Sequence, residues 1–246
     1  MSQNRKLVSR SLASRTWLRL LAIPVIALAI ANPAPASAQY QPTPAKTQPA
    51  LTATGIPASA FAPAFRGQRR MAWCWAAAIE MILDFHGADV NQDAIVRQIY
   101  GTGWDGVPPD QPGSLQQVAA LLNQWGISNN GQRFAVRANG KWGAPTAREL
   151  LTELAQGRPV MLLYKPNPQA QIGHYVVVTR AIIRQTRMGP YVERLVIWDP
   201  MPYHLVGMPV PNGYVSTMPI AGRYEVNADA LGRATVFSFA VDVRTR

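Results

Sequence analysis

The chain has 246 residues, with 24 Lys and Arg against 13 Asp and Glu, three histidines and one cysteine. Five of the basic residues and none of the acids lie before residue 39, so the net charge of +11 falls to 19 − 13 = +6 for the remainder. The remaining basic residues are scattered and are not interleaved with aromatic ones, which argues against a nucleic-acid partner and indicates a modest attraction to anionic cell surfaces.

Residues 1–38 have the pattern of a secretory signal peptide. A basic stretch precedes an apolar run at 20–31, and the small residues 36–38 predict cleavage before Gln39. The alternative is an N-terminal membrane anchor. That run has 12 residues and contains Pro24, whereas a spanning helix needs about 20 apolar residues. We therefore expect an exported protein, periplasmic or extracellular, with no membrane segment in its mature form.

Residues 39–62 are rich in Pro, Ala, Thr and Gln and show no apolar periodicity, which predicts a linker or a self-inhibiting pro-segment. Residues 63–246 have the length of one domain that can bury a core without disulfides. Cysteines of exported proteins usually occur in pairs. The single Cys74 is therefore a buried bystander, an intermolecular link or a working thiol.

Helices are predicted first along the domain. Apolar residues recur at helical spacing over 72–86, and Gly87 follows as a C-terminal stop. A second helix is predicted over 92–100, with Asn91 as its cap. The Gly- and Pro-rich loop at 101–113, which contains Trp104, is a candidate wall of a substrate pocket.

Two further helices are predicted to open with capping boxes, in which a Ser or Thr and a Glu or Gln three residues later cap each other's backbone N–H groups. The boxes are Ser114 with Gln117 and Thr146 with Glu149. The predicted helices extend to Trp125 and Gln156, and each is closed by the glycine that follows it.

Strands follow these helices. They are predicted at Val160–Tyr164, His174–Ile183, Tyr191–Trp198 and Ala234–Val243, and the turn around Met188-Gly189-Pro190 predicts a hairpin between the second and third. Helices first and antiparallel strands afterwards predict an α+β fold with the two layers packed on each other.

Attack by a thiol on a peptide carbonyl requires a thiolate, a base, a group that orients the base, and oxyanion donors. Cys74 lies in the first turn of a predicted helix, where the helix end stabilises negative charge and can lower the pKa of a cysteine. His86 lies about 18 Å further along the same helix, and His204 lies in a loop-like stretch. His174 instead begins a strand and is the candidate base, the alternative being a solvent-facing strand end.

The predicted hairpin places His174 and Asp199 at the same edge of the sheet. A carboxylate there can fix the imidazole tautomer, although an ordinary Asp-Pro turn is the alternative. Gln68, six residues before Cys74, can join the Cys74 N–H as an oxyanion donor, or it can be a solvent-facing loop residue. We see no metal-ligand spacing and no phosphate-binding glycine pattern, and we expect no cofactor.

With Gln68, Cys74-Trp75-Ala76, His174 and Asp199 in that order, residues 66–200 resemble the papain-like cysteine peptidases. The resemblance implies a helical layer carrying the nucleophile, packed on an antiparallel sheet carrying the base. It also implies hydrolysis of a polypeptide substrate through a thioester acyl-enzyme. Cys74 would be the nucleophile, His174 the base, Asp199 its orienting group, and Gln68 part of the oxyanion hole.

The sequence departs from papain itself. Met71-Ala72-Trp73 precede the cysteine where papain has a Cys-Gly-Ser/Ala pattern, and 100 residues separate Cys74 from His174, against about 130–150 in papain and the cathepsins. Asp199 stands where papain has Asn. These features look more like compact bacterial branches, the bacteriocin-leader peptidases and the secreted avirulence peptidases.

Two alternatives remain open at this point, and so does the question of a protein activator. A peptidoglycan amidase would use the same Cys-His chemistry, and a basic exported protein would suit an anionic cell wall. A catalytically inactive, papain-shaped binding module would use Cys74 only for packing.

Overall fold

The computed structural model of the chain describes residues 50–165, 173–203, 211, 214–215 and 221–246. The predicted signal peptide and His204 lie outside these residues. The helices are α1 (Ala58–Phe61), α2 (Cys74–Phe85), α3 (Gln92–Tyr100), α4 (Leu115–Leu121), α5 (Ala147–Ala155) and α6 (Ala228–Ala234), with a 3-10 turn at Ala62–Ala64. Among the described residues, no helix has the length and apolar character needed to cross a membrane.

Strands occur along the whole described chain. They are β1 (Leu51–Gly55), β2 (Gln124–Ile127), β3 (Arg133–Trp142), β4 (Val160–Tyr164), β5 (His174–Thr186), β6 (Gly189–Trp198), β7 (Tyr214–Val215), β8 (Arg223–Asn227) and β9 (Thr235–Thr245). The strands predicted at β4, β5, β6 and β9 are therefore present, as is the hairpin between β5 and β6.

In the described residues, these nine strands form one sheet in the order β2-β3-β9-β4-β5-β6-β8-β7, with β1 also paired to β5. Every pairing is antiparallel. β5 is the organising strand, since β4 pairs with its first residues, β1 with residues 180–184, and β6 with residues 177–186.

Helices cover both faces of the sheet. On one face α2 packs in a core that includes the strand residues Met161, Tyr175, Val177, Trp198 and Phe239. On the other face α5 and α6 pack in a second core that includes Leu154, Leu231, Val176, Val178 and Ile197. Successive residues of a strand point to opposite faces, which is why neighbours on β5 belong to different cores. The predicted α+β class is confirmed, with helices on a second face as well.

Local sequence signals explain the helix starts. Asn91 Oδ1 accepts from the backbone N–H of Ala94 at the start of α3, and both predicted capping boxes are formed, at α4 and at α5. Glu80 is the one charged residue between Cys74 and Leu83 of α2, and every residue in that range is buried. This helix is therefore enclosed by the sheet and the surrounding loops, rather than exposing one face to water.

The predicted extension of the third helix to Trp125 is wrong. α4 ends at Leu121, and residues 124–127 form β2, which pairs with β3. Trp125 is 83% exposed on this strand. The hydrogen bonds of β3, a strand that the sequence analysis did not predict, outweigh the helical preference of this segment.

The structure also differs from the predicted linker at 39–62. Residues 51–55 form β1, which pairs with β5 from Leu51↔Arg184 to Gly55↔Arg180, and Phe61 on α1 is fully buried. The ordered domain thus begins before the predicted boundary at residue 63. Short strands that contain Thr show little apolar periodicity in sequence. Here the stabilisation comes from backbone pairing with β5 and not from buried apolar side chains.

Candidate active site

Cys74 is the first residue of α2 and is flanked by two buried tryptophans. Trp73 Nε1 donates to the carbonyl of Pro109 at 3.0 Å, and Trp75 Nε1 donates to the carbonyl of Gln111 at 3.1 Å. The two indole groups thereby tie the loop before α4 to the helix start. The first N–H groups of a helix have no partner within the helix, so this end presents backbone donors beside the thiol.

The β5–β6 hairpin brings His174 and Asp199 together. Val177 pairs with Trp198, and the same register continued places Asp199 diagonally across from His174, within reach of a long side chain. His174 Nε2 lies 2.7 Å from Asp199 Oδ1. The predicted proximity of His174 and Asp199 is therefore present, and the cavity that His174 lines is also lined by Cys74.

Asp199 is completely buried, with hydrogen-bond donors on both carboxylate oxygens. Oδ1 accepts from His174 Nε2 and from the backbone N–H of Met201 at 2.9 Å, and Oδ2 accepts from the Tyr203 hydroxyl at 2.8 Å. The N–H of Asp199 donates to the carbonyl of Gly222 at 2.7 Å. A buried carboxylate without such partners would cost several kcal/mol. These bonds satisfy both oxygens of Asp199 and fix the orientation of its carboxylate.

Gly222 is required by this arrangement. Its φ is +76°, and a Cβ would lie 2.1 Å from the Phe65 ring and 2.9 Å from the carbonyl oxygen of Asp199. Only glycine combines that backbone conformation with so close an approach.

The electrostatics favour a charged imidazole. Burial by itself lowers the pKa of His174, but the charge of Asp199 and its hydrogen bond, together with the neighbouring Cys74, raise that pKa to about 10. His174 therefore carries its proton at neutral pH, when it is opposite a carboxylate and a thiol. This is the arrangement that a thiolate and imidazolium pair requires.

Gln68 lies in the loop before α2 and is buried, which departs from the solvent-facing alternative. Its Nε2 donates to the carbonyls of Arg70 at 3.0 Å and Met71 at 2.8 Å, and its Oε1 is buried without a partner among the described residues. Both amide hydrogens are therefore used within the loop. The structure places Gln68 next to the helix start but does not direct its amide toward Cys74.

The buried side chain of Gln92, which is hydrogen-bonded to Glu80, holds that loop in place. Gln92 Oε1 accepts from the N–H of Arg69 at 2.9 Å, while Gln92 Nε2 donates to the carbonyl of Gly67 at 3.1 Å and to Glu80 Oε2 at 2.7 Å. Gln92 thus binds the backbone on both sides of Gln68. The N–H of Gln68 itself donates to the carbonyl of Pro200 at 2.8 Å, which joins this loop to the Asp199 turn.

A cavity of about 1030 Å³ opens at Cys74 and His174. Its lining includes Trp75, Gly113 and Ser114 at α2 and before α4, and Val226, Asn227 and Leu231 at β8 and α6. The described lining residues include no Asp, Glu, Lys or Arg. The loop at 101–113 contributes to the wall as predicted, but Trp104 is fully exposed and is not part of the lining.

His86 is the C-terminal cap of α2 and contacts Phe85 edge-on, with ring centroids 4.9 Å apart. Burial lowers the pKa of His86, although the charge of Asp242 raises it. The neutral form is therefore favoured, which weakens the interaction with the helix dipole that its position suggests.

Several residues of the site were missed by the sequence analysis. Tyr203 follows an Asp-Pro-Met-Pro turn, which carries no signal for a side chain that returns to the carboxylate. Gln92 resembles an ordinary polar residue of a first helical turn. Glu80 offered a signal, since it is a lone carboxylate in an apolar helix and such a group needs a buried partner.

Comparison with protein families agrees with this geometry. Residues 58–205, more than half of the chain, match the model of the Peptidase_C39 like family. This span contains Gln68, Cys74, His174 and Asp199. A search of curated proteins found no match. The fold, the buried His174–Asp199 pair beside the only cysteine, and the family match agree, and the chain belongs to the Peptidase_C39-like family of papain-like cysteine peptidases, which act on polypeptides.

Proposed function

We propose that this cysteine peptidase is an exported endopeptidase that works through a Cys74-His174-Asp199 triad and a thioester acyl-enzyme. The observation that carries the proposal is that His174, whose Nε2 is hydrogen-bonded to a fully buried Asp199, lines the same cavity as Cys74. Cys74 is the nucleophile, His174 the general base and acid, and Asp199 the orienting group.

In the acylation step the sulfur of Cys74 attacks the carbonyl carbon of the scissile peptide bond, with the thiol proton held on His174. The carbonyl oxygen becomes an oxyanion beside the start of α2. The intermediate collapses when His174 gives its proton to the amide nitrogen, the C–N bond breaks, and the amine product leaves. Cys74 is then joined to the acyl part of the substrate by a thioester.

In the deacylation step His174, now neutral, removes a proton from a water molecule as that water attacks the thioester. The C–S bond breaks, the acid product leaves, and the thiolate of Cys74 is again opposite a protonated His174. Asp199 does not take up a proton in either step. Its charge keeps the pKa of His174 high enough for the ring to hold the proton between transfers.

The oxyanion hole is assigned to the Cys74 N–H, with a secondary contribution from Gln68. The N–H of Cys74 has no partner within α2 because it belongs to the first turn. Gln68 contributes only after one amide hydrogen leaves the carbonyl of Arg70 or Met71. Substrate binding along the loop would provide the competing acceptor.

Cleavage of peptides tests this function directly. The purified protein is incubated under reducing conditions with a broad fluorogenic peptide library, alongside Cys74→Ser, which keeps the size of the side chain and weakens the nucleophile. We expect cleavage within peptides by the wild type and at least a hundredfold loss in the variant, as removal of a covalent nucleophile implies.

Two control measurements separate the alternatives. Wild-type Cys74 should react with iodoacetamide at near-neutral pH, and His174→Ala should slow that reaction. A folded protein with an inert thiol would instead support the inactive binding module. A reactive thiol without peptide cleavage, together with release of stem-peptide fragments from purified peptidoglycan, would overturn the endopeptidase in favour of the wall amidase.

Export is proposed from residues 1–38. A pro-segment is proposed at residues 39–50, the part of the Pro- and Ala-rich stretch that precedes the paired strand β1. Expression of the full chain in a bacterium, followed by fractionation and N-terminal mass analysis, should yield a periplasmic or secreted protein that begins at Gln39. A Cys74→Ala protein with the same N-terminus as the wild type would exclude self-processing, and retention of residues 1–38 on a membrane-bound protein would contradict export.

A further inference from the structure

We propose that Tyr203 is a positioning residue of the active site, which orients Asp199 through its hydroxyl and thereby aligns His174 with Cys74. The inference rests on the proposed function, because it assigns Tyr203 a role in the same triad. Its starting point is that Tyr203 Oη donates to Asp199 Oδ2 at 2.8 Å inside the protein.

The two oxygens of Asp199 have different partners. Oδ1 accepts from His174 and from the backbone N–H of Met201, so one of its bonds is supplied by the chain itself. Oδ2 accepts from the Tyr203 hydroxyl. With both oxygens bonded, the carboxylate cannot rotate about its Cβ–Cγ bond without losing a hydrogen bond in a site from which water is excluded.

Tyr203 is itself held in place. It is 6% exposed, and its ring meets Tyr224 edge-on at a centroid distance of 6.4 Å. Tyr164 lines the same cavity, and its hydroxyl accepts from the Tyr214 hydroxyl at 2.6 Å. All three tyrosines line the cavity that contains Cys74, and among them Tyr203 is the one whose hydroxyl donates to Asp199.

The tyrosine hydroxyl is suited to this task over a wide pH range. Burial and the negative charge of Asp199 raise the pKa of Tyr203 above its ordinary value of 10. The hydroxyl therefore keeps its proton and remains a donor wherever the enzyme is folded. A histidine or a lysine in this place would add a second positive charge that competes with His174 for the carboxylate.

Loss of the hydroxyl has a defined consequence. In Tyr203→Phe, Oδ2 loses the donor that it has among the described residues, so the carboxylate turns toward other donors or admits water, and the bond from Oδ1 to His174 loosens. Substrate is still bound by the cavity walls, whereas proton transfer by His174 becomes slower. The expected kinetic signature is a fall in kcat of about tenfold, with KM changed by less than twofold.

The test is a double-mutant cycle of Tyr203→Phe and Asp199→Ala, measured in the full protein by peptide hydrolysis and by the rate of Cys74 alkylation with iodoacetamide. If Tyr203 acts through Asp199, its substitution has a large effect in the wild type and little or no effect once Asp199 is absent. Equal effects of Tyr203→Phe in both backgrounds would overturn the proposal and leave Tyr203 as a packing residue.

Tyr100→Phe is the matched control. Tyr100 also lines the cavity, and its Oη is bonded to the carbonyl of Pro112 at 2.7 Å and to Gln117 Oε1 at 3.1 Å, so the variant loses hydroxyl hydrogen bonds that do not involve Asp199. It should show no coupling to Asp199→Ala. If Tyr203→Phe does not fold, Tyr203→Met, which removes the hydroxyl and leaves a flexible apolar side chain, replaces it in the cycle. A fall coupled to Asp199 is again expected, and additivity there would equally overturn the proposal.

The alkylation measurement separates failure of this inference from failure of the proposed function. If the protein cleaves no peptide, but its thiol reactivity depends on Tyr203 only when Asp199 is present, the positioning role is supported and the endopeptidase function is rejected. If the protein cleaves peptides but shows no such coupling, the endopeptidase function is supported and the positioning role of Tyr203 is rejected.

Discussion

The two halves of the active site are held in place by different means. His174 and Asp199 lie at the ends of paired strands, so the hydrogen bonds of the β5–β6 ladder fix their positions. The loop with Gln68, in front of Cys74, has no ladder, and its backbone is bound by the side chain of Gln92. The sheet half therefore depends on backbone pairing and one buried charge, whereas the loop half depends on a few buried polar side chains.

The largest effect is expected in the sheet half, from His174→Ala. Loss of general acid and base catalysis should lower kcat/KM by roughly 10²- to 10⁴-fold. The variant also leaves Asp199 charged and buried without its ion-pair partner, which destabilises the fold by about 3–5 kcal/mol. Peptide hydrolysis and urea unfolding measure the two losses, and a variant with full activity would remove His174 from the mechanism.

Asp199→Asn separates the charge of this half from its geometry. The amide oxygen can still accept from His174 Nε2, but the negative charge that raises the pKa of His174 is gone. In the wild type the imidazolium persists through neutral pH, and activity should fall as the pH rises toward about 10. In the variant that alkaline fall should begin at a lower pH. An unchanged profile of kcat/KM against pH would show that Asp199 only orients the ring.

The same pair links pH to stability. The pKa of His174 is raised in the folded protein, so the stabilisation is complete below the ordinary value of 6.5 and is lost as the pH rises through about 10. Thermal unfolding of the wild type between these limits should show this decline, and Asp199→Asn should reduce it.

In the loop half, Gln92→Ala should have an intermediate effect. It removes the bonds to Gly67 and Arg69 and leaves Glu80 buried without its partner, at a cost of about 1–3 kcal/mol in unfolding free energy. Activity should fall less than in the sheet-half variants. Gln98→Ala, on the exposed side of the same helix, is the control and should change stability by no more than about 0.5 kcal/mol.

The smallest effect is expected from Glu80→Gln, which keeps the size and the acceptor but removes the charge. Burial raises the pKa of Glu80 above its ordinary value of 4.5, despite the opposing hydrogen bond from Gln92. The wild type should therefore lose some stability as the pH rises from 4.5 through the higher folded-state pKa, and the variant should lose less. Urea unfolding midpoints measured below and above this pH range test the prediction. An equal change of midpoint with pH in the two proteins would contradict it.

The sheet half was also the more predictable from sequence. Apolar periodicity indicated β4, β5, β6 and β9, and chain reversal at Gly189 then placed His174 beside Asp199, because an antiparallel hairpin leaves little freedom of register. The capping boxes of α4 and α5 were predictable for a similar reason, since their bonds are made within four residues.

The loop half was less predictable because its contacts join residues that are distant along the chain and carry no periodic signal. Gln92 lies on α3 and binds the loop before α2, and Gln68 turns its amide to local carbonyls rather than to the thiol. The strand β3 was missed although Phe134 and Val136 alternate with exposed residues, because charged and small residues dominate that segment. Tyr203 had no local signal.

The tryptophans that flank Cys74 give the protein a built-in optical reporter. Trp73 and Trp75 are each 1% exposed, and the Trp75 ring borders the cavity beside the thiol. Indole emission shifts with the polarity of its surroundings, and the carbonyls that these rings bind belong to the loop of one cavity wall. Occupation of the cavity or displacement of that loop should therefore change the fluorescence of the unlabelled protein, which offers a direct optical titration of ligands in the inactive Cys74→Ala variant.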